Sequence, residues 1–332
     1  MRTGKIPINM LKRSIIKELK SKNSQVIRGA EVGADNALLR LEPHEDVIVS
    51  TESYEAYNEV FAAMAVKKAA NNLACGGGEP VAVTLSLLLP KRFFENDLKQ
   101  YMKKINQAAE EAGVEIIGGD TRINPNIKVP FVTITCMGKI SKDLSLEQKK
   151  VCPGQELVVS KWIGMEGTCL IAKAKEKELL ERYPYSLVEA VKCMEQGVSV
   201  FSEAACAIKS GVSGMHDLSE GGILGGLWEF AEKHSVGLEI DLKKIPVRQE
   251  IIEICEFYDI NPYLLRSGGC LLMTVDNGSE LVRELSKVGI SASVIGRVTE
   301  GNDRVIYNGE EKRFLDLPQA DEIYKVDFAP PK

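Results

Sequence analysis

Apolar and polar positions follow two periods along this chain. Val81, Val83, Leu85, Leu87 and Leu89 alternate with Ala82, Thr84 and Ser86, which predicts a strand closed by Pro90. Residues 131–140 alternate in the same way, and short apolar runs at 47–51, 114–117, 156–160, 212–215, 236–242, 270–275 and 291–298 read as further strands. A helical period places Leu11, Ile15 and Leu19 four apart, and brings Phe94, Leu98, Met102 and Ile105 into register over residues 92–112. An alanine-rich segment at 55–75 reads as a helix with one apolar and one basic side. Helices are also expected after Thr168, over 186–209, from Gly222 to Lys233 and over 279–288. Strands and helices alternate throughout, which predicts an α/β (α+β) protein.

Polar groups gather where these elements end. The strand at 114–117 is expected to stop at Gly118-Gly119, with Asp120 and Thr121 held on the bend. Gly33-Ala34-Asp35-Asn36, Thr51-Glu52-Ser53 and Asn71-Asn72 likewise place a carboxylate or amide at an element's end, all in the first half. Such a set suits a hard cation with nucleotide phosphates better than a transition metal, which would want His or Cys. The plainer reading of each loop is a tight turn or a helix cap.

The second half adds His216-Asp217-Leu218-Ser219-Glu220-Gly221-Gly222 before a helix. Ser219 would cap that helix, and its glycine-lined first turn would leave N–H groups for an anion such as a phosphate. A plain capped helix fits equally, and His216 suits a hydrogen-bonded structural histidine as well as a base. Lys161 follows a strand and could reach a phosphate or simply be solvated. No GxxxxGK[ST] phosphate loop, GxSxG elbow or GxGxxG match is present.

A length of 332 residues suits two domains, and Pro153-Gly154 is the best boundary signal. The expected division is 1–148 and 149–332. With a net charge of -5 there is no basic footprint, so nucleic acid is not an expected partner. No apolar run is long enough for a membrane and no secretory signal is visible. Eight scattered cysteines without a C-x-x-C pair read as reduced thiols of a cytoplasmic protein.

The order of the polar loops resembles the superfamily of aminoimidazole ribonucleotide (AIR) synthetase, the hydrogenase-maturation carbamoyl dehydratase, selenophosphate synthetase and thiamine-monophosphate kinase. Its pattern runs G-D-D-A-A, T-T-D, N-D-L-A-x-x-G-A-x-P, G-G-D-T, P-G-D and D-x-S/T-x-G-G. Here these stand as Gly33-Ala-Asp-Asn-Ala37, Ser50-Thr-Glu52, Asn71-Asn-Leu-Ala-Cys-Gly-Gly-Gly-Glu-Pro80, Gly118-Gly-Asp-Thr121, Pro153-Gly154-Gln155 and Asp217-Leu-Ser-Glu-Gly-Gly222. Gly4-Lys-Ile-Pro7 and Trp162-Ile-Gly-Met-Glu-Gly-Thr168 look most like the hydrogenase-maturation branch.

The resemblance implies a first domain that binds ATP with Mg²⁺ and forms a homodimer, with a four-stranded sheet carrying helices on one face. It also implies a second α/β domain and phosphoryl transfer to an oxygen of a small-molecule substrate. Asp35, Asn36, Glu52, Asn72 and Asp120 would line the metal–phosphate site, with Asp35, Glu52, Asn72 and Asp120 as metal ligands and Asp120 and Asp35 as the catalytic pair. Gly119, Thr121, Lys161, Asp217, Ser219, Gly221 and Gly222 would complete the nucleotide contacts. Asn36 and Asn72 stand where the family has Asp, and Glu52 replaces Asp, so weaker metal binding is expected. A non-catalytic nucleotide-binding or scaffold homologue is the alternative, and AIR synthetase itself a third reading. The dehydratase works through a C-terminal cysteine, whereas this sequence ends Ala329-Pro-Pro-Lys332. Selenophosphate synthetase needs a reactive residue near its N-terminus, whereas no cysteine precedes Cys75.

Overall fold

The computed structural model describes residues 4–5, 7–30, 37–141, 149–317 and 319–328. It divides into two compact units, Met1–Ala74 with Gly78–Leu144, and Ser145–Lys332 with Cys75–Gly77.

In the first unit β1 (Gly4–Lys5) precedes α1 (Ile8–Ser14). A short ribbon follows, β2 (Val26–Arg28) and β3 (Leu38–Leu39). Then come β4 (Glu45–Glu55), α2 (Glu59–Cys75), β5 (Glu79–Leu89), α3 (Glu95–Glu111), β6 (Glu115–Ile123) and β7 (Phe131–Ser141). The main sheet has five strands, not the expected four, in the order β1-β6-β5-β7-β4. A two-residue strand such as β1 is too short to show a period. Only β5 and β6 run parallel. They are joined through α3, the helical crossover that a parallel pair requires.

One face of this sheet is packed. Val81, Val83, Leu85, Leu87 and Leu89 are all buried, as are Ala62, Met64, Val66 and Leu73 of α2 and Leu98, Met102 and Ile105 of α3. The basic side expected on α2 is not solvated. Lys67 and Lys68 are buried, and the Lys67 ammonium lies 2.7 Å from Glu111 of α3. Phe94 does not join the core of α3; it is 70% exposed while Phe93 is buried in its place.

The second unit contains β8 (Glu156–Ser160), α4 (Met165–Ala174), α5 (Glu176–Arg182), α6 (Tyr185–Lys192), α7 (Phe201–Lys209), β9 (Gly214–Leu218) and α8 (Gly222–His234). It continues with β10 (Gly237–Asp241), α9 (Gln249–Phe257), β11 (Cys270–Val275), α10 (Gly278–Lys287), β12 (Ala292–Thr299), β13 (Arg304–Asn308) and β14 (Glu311–Phe314). Seven strands form one sheet in the order β14-β13-β10-β12-β8-β11-β9, parallel only between β10 and β13. Helices cover both faces. Leu227 and Phe230 of α8 pack with Leu157, Leu272 and Ile295, while the first residue of α10 lies against Val158 and Val294 of the alternate face. The single helix expected over 186–209 is broken by a 3-10 turn at Cys193–Gly197. The α9 helix and the β13–β14 hairpin were not predicted.

Candidate functional site

Gly118-Gly119 does not end a strand. The chain continues through it to Ile123, because the glycines accommodate an irregularity within β6. Pairing with β5 jumps from Val83↔Ile116 to Thr84↔Gly118, leaving Ile117 as the extra residue of a β-bulge. At Gly119 φ is +156°, and a Cβ there would stand 1.9 Å from the Leu85 carbonyl oxygen. No other residue fits so close a backbone approach.

Beyond the bulge, register decides which side chains share a face. Ser53, Thr133, Ser86 and Asp120 form one row across β4, β7, β5 and β6. This is the open face. Ser86 is exposed, as are Val47 at 60% and Val49 at 56% on the same side of β4. Hydroxyls pair across it, Thr51 with Thr135 at 3.0 Å and Ser53 with Thr133 at 2.9 Å. Asp120 Oδ2 accepts from Arg122 Nε at 2.5 Å.

Glu52 belongs to the next row, with Ile134 and Leu85, on the face covered by the helices. There Asn72 of α2 donates through Nδ2 to Glu52 Oε1 at 2.6 Å and to Ser50 Oγ at 3.0 Å. Thr121 is buried on this face as well. Within one protomer, therefore, Glu52 and Asn72 come together, while Asp120 lies on the opposite side of the sheet, three strands away. Asp35 and Asn36 lie outside the described residues. Among the described residues no group of three or more His, Cys, Asp or Glu could hold a metal ion. The donors described here do not fit a preassembled Mg²⁺ site. One Glu52 oxygen accepts from the Asn72 amide, and Asp120, on the other face of the sheet, is paired with a guanidinium.

In the second unit Lys161 departs from its expected role. It has a left-handed backbone, φ 53°, directly after β8. Its ammonium donates to the carbonyls of Gly197 and Ser199, each at 2.7 Å, and forms an ion pair with Glu203, which is 1% exposed. A lysine so bound closes a turn instead of reaching for a phosphate. Asp217 is buried on β9 opposite Leu271 of β11. Burial drives the Cys270 thiol far above its ordinary range; Lys161 opposes this, and Asp217 and Glu203 add to it. His216 Nε2 lies 3.2 Å from Glu229 Oε2.

Ser219 is not the cap of α8. Gly221 takes that position in the left-handed region, φ 79°, and the Ser219 carbonyl accepts from Gly222 at 3.0 Å and Ser267 at 3.2 Å. Gly222 is also left-handed, φ 63°, and a Cβ on it would meet the Tyr263 carbonyl at 2.5 Å. The N–H groups expected to await an anion are partly engaged. Gly221 donates to Asp321 Oδ2 at 2.7 Å, and Leu224 to the Tyr263 carbonyl at 3.2 Å.

Three charged residues around this turn escaped the sequence reading. Glu166 is fully buried on α4, and its Oε2 accepts from Gly268 N at 3.0 Å. Arg266 is 7% exposed and lies between Glu166 at 3.7 Å and Glu220 at 3.5 Å. Asp321 closes the turn from the C-terminal segment. A signal for the first two existed: Ser267-Gly268-Gly269 is another polar turn with a glycine pair, set before an apolar strand. A Cβ on Gly268 would fall 2.3 Å from Glu166 Oε2, so a side chain there would displace the Glu166 carboxylate.

These features define a class: a two-domain α/β protein whose sheets carry glycine-bound polar turns. The sequence assigns the class further. Residues 33–140 match the family described as "AIR synthase related protein, N-terminal domain", and residues 152–308 match "AIR synthase related protein, C-terminal domain". The chain belongs to the AIR synthase-related superfamily.

A Methanocaldococcus jannaschii protein named for hydrogenase expression and formation is 27% identical, with 97% of each chain covered. The carbamoyl dehydratase HypE of Rhizobium leguminosarum is 27% identical over 71% of this chain and 67% of its own. A thiamine-monophosphate kinase of Pyrococcus horikoshii is 30% identical over 75% of this chain and 74% of its own. Among solved structures, E. coli HypE superposes with a TM-score of 0.78 at 20% identity, covering 96% of this chain and 99% of that one. A hydrogenase maturation protein HypE solved in complex with ATP gives 0.73, also at 20% identity, covering 95% and 96%. Among the described residues no helix is long and apolar enough to cross a membrane.

Proposed function

We propose that this protein is an ATP-dependent enzyme that activates an oxygen of a small molecule by phosphoryl transfer. The observation that carries this reading is membership of one superfamily across both domains. Its relatives here include a dehydratase and a kinase, and one structure of the same fold was solved with ATP. A phosphate transferred to oxygen makes a leaving group for dehydration and is the product of a kinase, so one nucleotide site serves both outcomes.

The polar segments of residues 1–148 are proposed to receive the triphosphate together with its cation, with Asp35 and Asp120 as the carboxylates that meet the cation. Mg²⁺ is proposed to arrive with the nucleotide, because the described donors do not form a resident site. The open face of the first sheet is proposed to pair with a second copy. Exposed Val47 and Val49 and the hydroxyl rows suit a sheet-to-sheet contact. Light scattering should give the mass of a dimer at micromolar concentration; a monomer there refutes this part.

The Asn72–Glu52 hydrogen bond favours a second reading, a homologue that binds nucleotide without turning it over. Calorimetric titration of an ATP analogue with Mg²⁺ and with chelator, beside an assay of ATP hydrolysis across candidate acceptors, separates the two. Binding with turnover supports the enzyme. Binding without turnover supports the second reading, and no binding in either condition removes both.

A further inference from the structure

The turn that opens α8 is completed by a residue about a hundred positions away. Asp321 is 1% exposed and uses both carboxylate oxygens. Oδ2 accepts from Gly221 N at 2.7 Å, while Oδ1 accepts from Ile323 N at 2.9 Å and so caps the 3-10 turn Glu322–Lys325. The neighbouring residues fasten the same segment. Glu322 Oε2 accepts from Asn261 N at 3.1 Å, and Glu322 N donates to the Leu264 carbonyl at 3.3 Å. Tyr324 Oη reaches Glu220 at 3.3 Å, and Glu220 in turn faces Arg266.

Backbone bonds also hold the turn, Gly222 N and Ser267 N to the Ser219 carbonyl and Leu224 N to the Tyr263 carbonyl, but none of them takes the Gly221 N–H. Gly221 and Gly222 are both left-handed and carry no side chain, so their conformation must be imposed from outside. On one side the carbonyls of residues 263–265 press against Gly222. On the other the Asp321 carboxylate takes the Gly221 N–H. A carboxylate at the N-terminus of a helix is favoured by the helix dipole, and a charge-assisted hydrogen bond is the stronger kind.

We infer that Asp321 is a positioning residue. From the C-terminal segment it sets the Ser219–Gly222 turn, and through it the Glu220 and Arg266 side chains beside that turn, where the family resemblance places nucleotide contacts. The effect on nucleotide or substrate binding rests on the function proposed above; the hold on the turn does not.

The test uses the full chain. Asp321→Asn preserves shape but replaces one acceptor with an amide that cannot receive both N–H groups. Asp321→Ser retains a hydroxyl that can still cap Ile323 but cannot span to Gly221. Amide hydrogen exchange is followed by mass spectrometry for peptides spanning 219–225, with α10 as the internal reference. In both variants exchange at 219–225 should quicken about tenfold, with α10 unchanged. Where ATP turnover is present, KM should rise severalfold while kcat changes less than twofold. Unchanged exchange at 219–225 in Asp321→Ser overturns the inference, whether or not the protein binds nucleotide. Quickened exchange with unchanged KM and affinity leaves the hold on the turn intact and removes its role in binding. If Asp321→Asn melts much earlier than the unmodified chain, the serine variant decides alone.

Discussion

At Gly119 the room for a side chain is less than nothing, since a Cβ would overlap the Leu85 carbonyl, whereas at Gly118 nothing stands within 4 Å of the same added atom. Gly119→Ala should therefore cost roughly 3 kcal/mol or more through overlap and backbone strain, and Gly118→Ala less than about 1 kcal/mol. Urea unfolding of both variants checks the contrast, and equal losses would show that the bulge relaxes. Asn72 presents a related case with charge in place of volume. Its amide gives Glu52 a proton donor at 2.6 Å, so Asn72→Asp would set two carboxylates face to face. In chelator that variant should lose about 1–3 kcal/mol, and Mg²⁺ should restore much of it. Thermal melts without nucleotide measure this. A melting temperature of the variant that ignores Mg²⁺ would mean that no cation enters between these residues even when charge invites one.

The elements differ in how far they announce themselves. Strand β5 was readable because one face is wholly buried and the other is not, so its alternation is clean. The α3 helix was readable for the same reason at the helical period, while α2, buried nearly all round, hid the fate of Lys67 and Lys68. Strand β6 was cut short at Gly118-Gly119, because glycine pairs signal turns more often than bulges. Charged side chains whose partners are distant in sequence left no local mark: Glu166, Arg266 and Asp321 make contacts that no periodicity encodes. The partners of Lys161 are hidden for the same reason, since Gly197 and Ser199 lie before α7 and Glu203 on it. Lys161→Met would leave the Glu203 carboxylate buried without its cation, a loss of about 3–5 kcal/mol. Nucleotide affinity of the folded fraction should be unchanged. A stable variant with weaker nucleotide binding would return Lys161 to the site.

Across the whole molecule, two-domain organisation was legible from length and the order of polar turns, because each domain repeats the strand–helix alternation around its own sheet. Which turns share a site was not legible, since a one-residue change of register moves a side chain through the sheet. The thiols offer a global check of burial. Cys152 and Cys193 are exposed, whereas Cys136, Cys169, Cys255 and Cys270 are buried, the first three pushed up to about 12 by desolvation. Because the thiolate is the reactive form, an aromatic disulfide reagent at pH 8 should modify Cys152 and Cys193 fast and these four only in denaturant. Rapid reaction of any of the four, located by peptide mapping, would mean that its domain opens.

The two sheets also close at different times as the chain is made. Every partner of β4 to β7 has been made once Ser141 is added, but β8 finds its neighbours only in β11 and β12, more than a hundred residues further on. A ribosome adding roughly 5–20 residues per second would hold the finished first sheet alone for about 8–30 s before the second could assemble. Throughout that interval Val47 and Val49 face the solvent on a nascent chain, beside other nascent chains on the same message. The dimer proposed above would then have its contact face made before the second domain exists, and its assembly would begin during translation.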